Sequence, residues 1–172
     1  WILLCFLAPA LVFVFMLSVS RIPRELIWDN ARESIGWILE KGTYTWFLNE
    51  DDRGTEIDSY FDAQLLDIAI YLDEGRPVET VVKCPYYLNE ELYTALKDLM
   101  DKDGETASDT EYARYWNGTA GVLRLLLLFW DLSGIYRFQI FLGLALLAVI
   151  LLLLWRKGEV SFLLAFLAGL WC

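Results

Sequence analysis

The chain is predicted to be an all-α membrane protein, with transmembrane helices and a mainly helical extracytoplasmic domain inserted between the first and second spans. Residues 1–20, WILLCFLAPALVFVFMLSVS, carry no charge, and neither do residues 138–155, FQIFLGLALLAVILLLLW. A hydrocarbon core about 30 Å thick takes roughly 20 apolar residues of helix to cross, and both runs approach that length. Between them the composition changes in kind: from Arg21 to Arg137 there are 23 acids against 12 bases. An insert of that size is long enough to bury one small core of its own. The expected division is therefore a transmembrane helix at 1–20, an acidic helical domain at 21–135, a second span at 136–155, a short cytoplasmic loop at 156–159 and the start of a third span at 160–172. The chain begins at Trp1 and stops inside an apolar segment, and it is expected to be the front part of a larger protein.

The first run ends on Ser18-Val19-Ser20, a small-x-small pattern suited to signal cleavage. Its apolar stretch exceeds the roughly 7–15 residues of a signal core, which favours a retained helix. Arg156 and Lys157 sit in the short R-K-G-E connection. Short basic loops stay in the cytoplasm while long domains cross largely regardless of charge, so the acidic domain is expected outside. Arg21, Arg24 and Arg32 pull the other way.

Pro23 prevents the first helix from simply continuing. Leu26, Ile27, Ile35, Ile38 and Leu39 then recur at roughly helical spacing, predicting an amphipathic helix over 25–40 that Gly42 terminates. Trp28 and Trp37 suit a membrane interface. A polar turn at 50–56 precedes a helix from about Tyr60 to Leu72, capped by Asp58 or Ser59 and ended by Gly75 and Pro77. Phe61, Leu65, Ile68, Ala69 and Leu72 form its core stripe. A further amphipathic helix over 90–101 turns Leu92, Ala95, Leu96 and Leu99 inward. The apolar run from Ala120 to Trp130, broken by Arg124, is too short to span. It reads as a helix near 120–130 lying at the membrane interface, followed by a turn at Ser133-Gly134.

Composition excludes several chemistries. The chain has no histidine, so zinc sites that need one and Ser-His-Asp or Cys-His catalysis are ruled out within it. No metal ligand set is assigned, and the cofactor is left open. Cys5 and Cys172 lie in apolar runs and Cys84 alone lies in the insert, so there is no disulfide framework. No basic face is clustered as nucleic acid would require. Asn117-Gly118-Thr119 matches a glycosylation acceptor but is common by chance.

Two groups of residues suit chemistry. Asp58, Tyr60 and Asp62 share the start of a helix, where the two carboxylates suit a general base or a divalent cation. Acids there also cap the helix and complement its dipole. Arg114-Tyr115-Trp116, with Arg124, suits a lipid phosphate or pyrophosphate, because a guanidinium fork binds phosphate oxygens bidentately. Alternatively Arg114 pairs with nearby acids and Arg124 snorkels to head groups.

The segments D-S-Y-F-D-A at 58–63, Cys84-Pro85-Tyr86-Tyr87, and Y-A-R-Y-W-N-G at 112–118 followed by V-L-R-L-L-L-L-F resemble a family of large multi-pass membrane proteins of gut Firmicutes. Its members carry D-N-Y-T-D-A, N-P-x-Y and Y-x-R-Y-W-H-G before L-R-P-L-L. The resemblance covers roughly Asp58 to Phe138, with Asn117 in place of the family's histidine and Leu125 in place of a proline. The family has no assigned activity. The topology is also similar to that of C-type membrane glycosyltransferases, which use polyprenyl-phosphate-linked sugars. That similarity implies Asp58 or Asp62 as the base that takes the acceptor proton, and Arg114 or Arg124 on the donor phosphate. The acidic residue of those enzymes generally sits nearer the first span. The expected function is thus an envelope glycosyltransferase-like enzyme, with the lipid bilayer and a lipid-linked sugar as partners. Its rival is a non-enzymatic membrane protein whose external domain binds envelope components or a partner. A transporter ranks third, because the spans show neither breaks nor mid-membrane charges.

Overall fold

The computed structural model describes residues 2–42, 44–46, 56–73, 75–113, 118–158 and 162, with the side chains of 2–5, 44–46 and 56–58 outside that description. Two compact units emerge, Trp1–Ser133 and Gly134–Cys172. The first holds α1 (Ile2–Val19), α2 (Glu25–Lys41), β1 (Tyr44–Trp46), β2 (Glu56–Asp58), α3 (Ser59–Tyr71), α4 (Pro77–Lys83), β3 (Pro85–Tyr86), α5 (Leu92–Asp101), β4 (Thr110–Glu111) and α6 (Gly118–Leu126). The helix α7 (Leu132–Lys157) begins at its end and makes up most of the second unit. The protein is mostly helical, as its periodicity predicts.

The central element of the first unit is α3. On it pack α2, α5 and α6 together with β1 and β3. Its sequence predicts a single inward stripe, yet Ala63 and every residue from Leu65 to Ile70 are buried. The run LLDIAI is apolar on both faces around Asp67, and a helix apolar all round belongs in an interior. The exception is at the start, where Phe61, expected inside, is 45% exposed.

The other amphipathic helices follow their patterns more closely. In α2 the buried residues are Ile27, Ala31, Ser34, Ile35 and Ile38, a stripe of i, i+4, i+7 and i+8 spacing. Leu26, expected inward, is 62% exposed. Gly42 ends α2 in a positive-φ conformation, its N–H donating to the Ile38 carbonyl. In α5 all four expected residues, Leu92, Ala95, Leu96 and Leu99, are buried. Hydrophobic spacing did not anticipate α4 or the strands. Pro77 starts α4, where its fixed φ and missing N–H cost nothing. Two short antiparallel ladders pair Tyr44 with Asp58 and Tyr86 with Thr110.

Among the described residues one helix, α7, is long and apolar enough to cross a membrane, and its apolar window is wholly exposed. The first run behaves differently. Phe6, Leu7, Leu11 and Val14 of α1 are exposed, but Met16 and Val19 are buried against Leu72 and Val81. The last turn of α1 is therefore domain core. Its neighbours are α4 and α6, and the approach to α6 is close: a Cβ at Gly121 would overlap Met16 Sδ and sit 3.1 Å from Val19 Cγ2. Small residues permit such close helix packing.

The expected interfacial helix near 120–130 is α6 and the turn after it. One face, Ala120, Gly121, Leu123 and Arg124, is buried in the domain, while Val122, Leu125, Phe129 and Trp130 are exposed. The turn expected at Ser133-Gly134 falls earlier, at 127–129, and both residues lie inside α7. The Leu132 N–H donates to Ser34 Oγ at 2.8 Å and Asn30 Nδ2 donates to the Leu127 carbonyl at 2.8 Å. These bonds tie the turn to α2 and satisfy groups left orphaned at the end of α6 and the start of α7. Apart from Phe162, the third apolar run lies outside the described residues.

Candidate functional site

Of the sequence-predicted residues only Tyr60, Asp62 and Arg124 have described side chains, and Asp62 and Arg124 are not brought together. Asp58 closes β2 with its side chain outside the description, and Arg114, Tyr115 and Trp116 lie outside the described residues. Tyr60 is exposed, and Asp62 is half-buried in the first turn of α3. Arg124, on α6, meets the opposite end of α3. Its Nη1 donates to the Ala69 and Ile70 carbonyls and its Nη2 donates to the Ile22 carbonyl at 2.5 Å. Residues 62 and 69 are about 10 Å apart along a helix axis at 1.5 Å per residue. The acid and the arginine thus serve different helix ends.

The packing explains why Arg124 is only 1% exposed. The last carbonyls of α3 have no partner within the helix. A cation there completes them and complements the negative pole of the helix dipole. The same guanidinium holds the chain where it leaves α1. A charge within an apolar run signals a purpose, and here that purpose includes joining α1, α3 and α6.

The C-terminal end of α3 also forms one wall of a cleft of about 560 Å³. The other walls are the α1–α2 connection through Ile22, Arg24 and Glu25, the helix α4, and the segment Thr106–Glu111. That volume falls within the range of small-molecule sites. Ions line it, and most are paired with each other. Arg76 bridges Asp73 at 3.4 Å and Glu79 at 3.7 Å, and Lys83 bridges Glu79 at 3.1 Å and Glu111 at 3.0 Å. The bonds to Glu111 and Glu79 raise the Lys83 ammonium above its ordinary pKa. Asp109 receives the Leu88 and Asn89 N–H groups at 2.8 and 3.1 Å. Partial burial opposes ionisation of Asp109, but these bonds and the Thr110 hydroxyl hold its pKa below the usual value.

Arg24 is arranged otherwise. Its guanidinium lies over the Trp28 ring at 5.2 Å and the Tyr71 ring at 5.3 Å, and its buried Nη2 has no hydrogen-bond partner among the described residues. Trp28 is itself fixed by its Nε1–H, which donates to Asp103 at 2.9 Å. Tyr71 shares a 2.5 Å hydroxyl contact with Thr106, and burial pushes its pKa up to about 12. Gly104, at φ +80°, leaves the space: a Cβ there would come within 2.9 Å of Arg24 Nη2 and 3.0 Å of Trp28.

Behind Tyr71 lies Asp67, which is fully buried. One oxygen accepts the Tyr87 N–H at 3.2 Å, and the other has no partner among the described residues. Desolvation raises its pKa well above the ordinary carboxylate value, more than the Tyr87 N–H lowers it, and Asp109 adds to the rise while Arg24 opposes it. The sequence held a signal for Asp67, since it is a charge inside an apolar run as Arg124 is. It held none for Arg24, whose role depends on rings 4 and 47 residues away. Among the described residues no cluster of three or more acids or thiols is placed to hold a metal ion.

Comparison of the chain with known protein families, with characterised proteins and with solved structures found no match.

Proposed function

We propose that this chain is part of a multi-pass integral membrane protein whose acidic helical domain lies outside the cytoplasm and binds a small polar envelope component in the cleft beside the C-terminal end of α3. The membrane assignment rests on the exposed apolar window of α7, the exposed Phe6, Leu7, Leu11 and Val14 of α1 and the apolar sequence at 160–172. The binding role rests on one observation above the others: a cleft of about 560 Å³ with a polar, charged lining, in which ion pairs fix the walls and Arg24 stands apart from them. A glycosyltransferase-like reaction has less support. A base must reach the proton it takes, yet Asp62 lies about 10 Å along α3 from the groups that Arg124 binds. Of the five cleft acids, Asp73, Glu79 and Glu111 are each ion-paired and Asp109 is held by main-chain N–H groups, which leaves Glu25.

A bulky side chain at Ala107, which is exposed and lines the cleft, tests the proposal. The full chain in detergent is melted in the presence of sugar phosphates, amino acids and short anionic oligosaccharides, with and without Ala107→Trp. A ligand that binds only the folded state raises Tm. The expected result is a rise for at least one compound in the wild type and none in the variant. A panel without effect, or an effect that Ala107→Trp leaves intact, rules the cleft out as a binding site.

A further inference from the structure

We infer that Arg24 is an oxyanion anchor, and that the group it takes in the cleft is a phosphate, presented by a lipid headgroup or by a free phosphate ester. This rests on the binding role proposed above and names the chemistry of that ligand. The inference begins with a contrast among the four cations of the cleft. Arg76 and Lys83 are each shared between two carboxylates, and Arg124 donates to three main-chain carbonyls. Arg24 has no ion pair among the described residues; two ring faces hold it, and its Nη2 has no acceptor. A guanidinium carries five donors and no acceptor, and it stays charged at every relevant pH. Its Nη2 is enclosed against Gly104 and Trp28 without a partner, which is unfavourable, and the part of the side chain that lines the cleft is where the oxygens of a bound anion offset that cost.

The setting selects an anion and holds the arginine ready for it. Stacking between Trp28 and Tyr71 fixes the plane of the fork before a ligand arrives, so little rotamer freedom is lost on binding. Arg24 directly precedes α2, a helix of 17 residues, and the positive pole of a helix favours negative charge at that place. Hydroxyls of Thr106, Ser108 and Thr110 line the same cleft and suit the remaining oxygens. Phosphate is favoured because its tetrahedral oxygens can use the guanidinium fork and these hydroxyls together. Glu25 and Asp109 oppose the anion: both line the cleft without an ion pair among the described residues, and a like charge weakens binding.

The test uses the full chain, first in detergent with inorganic phosphate against chloride at equal ionic strength. It is then repeated in nanodiscs of phosphatidylcholine with and without phosphatidylglycerol. Wild type, Arg24→Gln, Arg24→Lys, Glu25→Gln and Arg32→Gln are compared by Tm and by Trp fluorescence, because Trp28 reports on Arg24 directly. Phosphate is expected to raise the wild-type Tm, Arg24→Gln to weaken its binding by roughly tenfold or more, and Arg24→Lys to restore part of it. Glu25→Gln is expected to tighten it, and this variant keeps the test decisive should Arg24→Gln fold poorly. Arg32→Gln, which removes an exposed pair with Asp103, is expected to behave as wild type. A response to free phosphate identifies a soluble ester as ligand, and a response only in phosphatidylglycerol discs identifies a headgroup. Equal responses in wild type and Arg24→Gln, or none to either source, overturn the inference. If a compound of the earlier panel still binds in an Ala107-dependent way, the cleft remains a site and only its anion chemistry is wrong.

Discussion

At its N-terminal end α3 presents Tyr60, Phe61 and Asp62 in and beside an exposed first turn. At its C-terminal end it meets Arg124, the last turn of α1 and the cleft. Both ends carry charge of the sign that the helix dipole favours, an acid at the start and a cation at the finish. They differ in burial. Asp62 is partly open to water, where a charge near the dipole contributes little, whereas Arg124 is enclosed and donates to main-chain carbonyls. A pair of acids close in sequence therefore marked a helix start, and the cleft formed where distant segments meet at the other end.

The largest expected effect tests this difference directly. Arg124→Met keeps the apolar volume and removes the donors to the Ala69, Ile70 and Ile22 carbonyls. At 1–3 kcal/mol for each buried acceptor left without a partner, the loss is about 3 kcal/mol or more. A denaturant midpoint in detergent reads it. A loss under about 1 kcal/mol means that water replaces the guanidinium and the end of α3 is not enclosed.

How much of this was legible in the sequence depends on the range over which each signal acts. The stripes of α2 and α5 were legible because a 3.6-residue period needs only neighbouring residues, and Ile27, Ile35, Ile38 and Leu99 are buried as that period requires. The apolar length of α7 was legible for the same reason. Arg124 stood out as a costly charge, but its partners are 54, 55 and 102 residues away, so its acceptors were not. Local spacing also missed the two ladders, whose strands are only two or three residues long and give alternation too little length to show. The first span was read whole because hydropathy does not distinguish lipid from protein interior, and Met16 and Val19 meet protein.

Asp67 extends the comparison to the middle of the helix. Its carboxyl is raised by burial, so the folded state keeps the proton at pH values where the unfolded chain, with an ordinary value near 4, has released it. The unfolded state then binds fewer protons, and stability falls as pH rises from about 4 through the raised value. Asp67→Asn retains an oxygen for the Tyr87 N–H and carries no charge. The variant is expected to flatten that slope and to gain on the order of 1–3 kcal/mol at neutral pH. Denaturation midpoints across roughly pH 4 to 8 measure it. A wild type whose stability is flat across this range, or a variant that is destabilised at neutral pH, shows that Asp67 has a charge partner that matters more than its burial.

The smallest expected effect belongs to the residue the sequence favoured most. Asp62 lies in the first turn of α3 with its side chain half-buried. As a dipole-complementing acid it contributes about 0.3–1 kcal/mol at low salt, and that contribution is screened as salt is added. Asp62→Asn is therefore expected to lower stability slightly, to lose most of that effect at high ionic strength, and to leave ligand binding at the cleft unchanged. A general base behaves oppositely: its removal typically costs 10²–10⁴-fold in rate with little change in stability. The same variant thus separates the two ends of α3 by kind as well as by size. If Asp62→Asn abolishes transfer from a polyprenyl-phosphate sugar while its melting curve is unchanged, the exposed N-terminal end is the working one. The cleft at the other end would then hold part of the substrate remote from the bond that breaks.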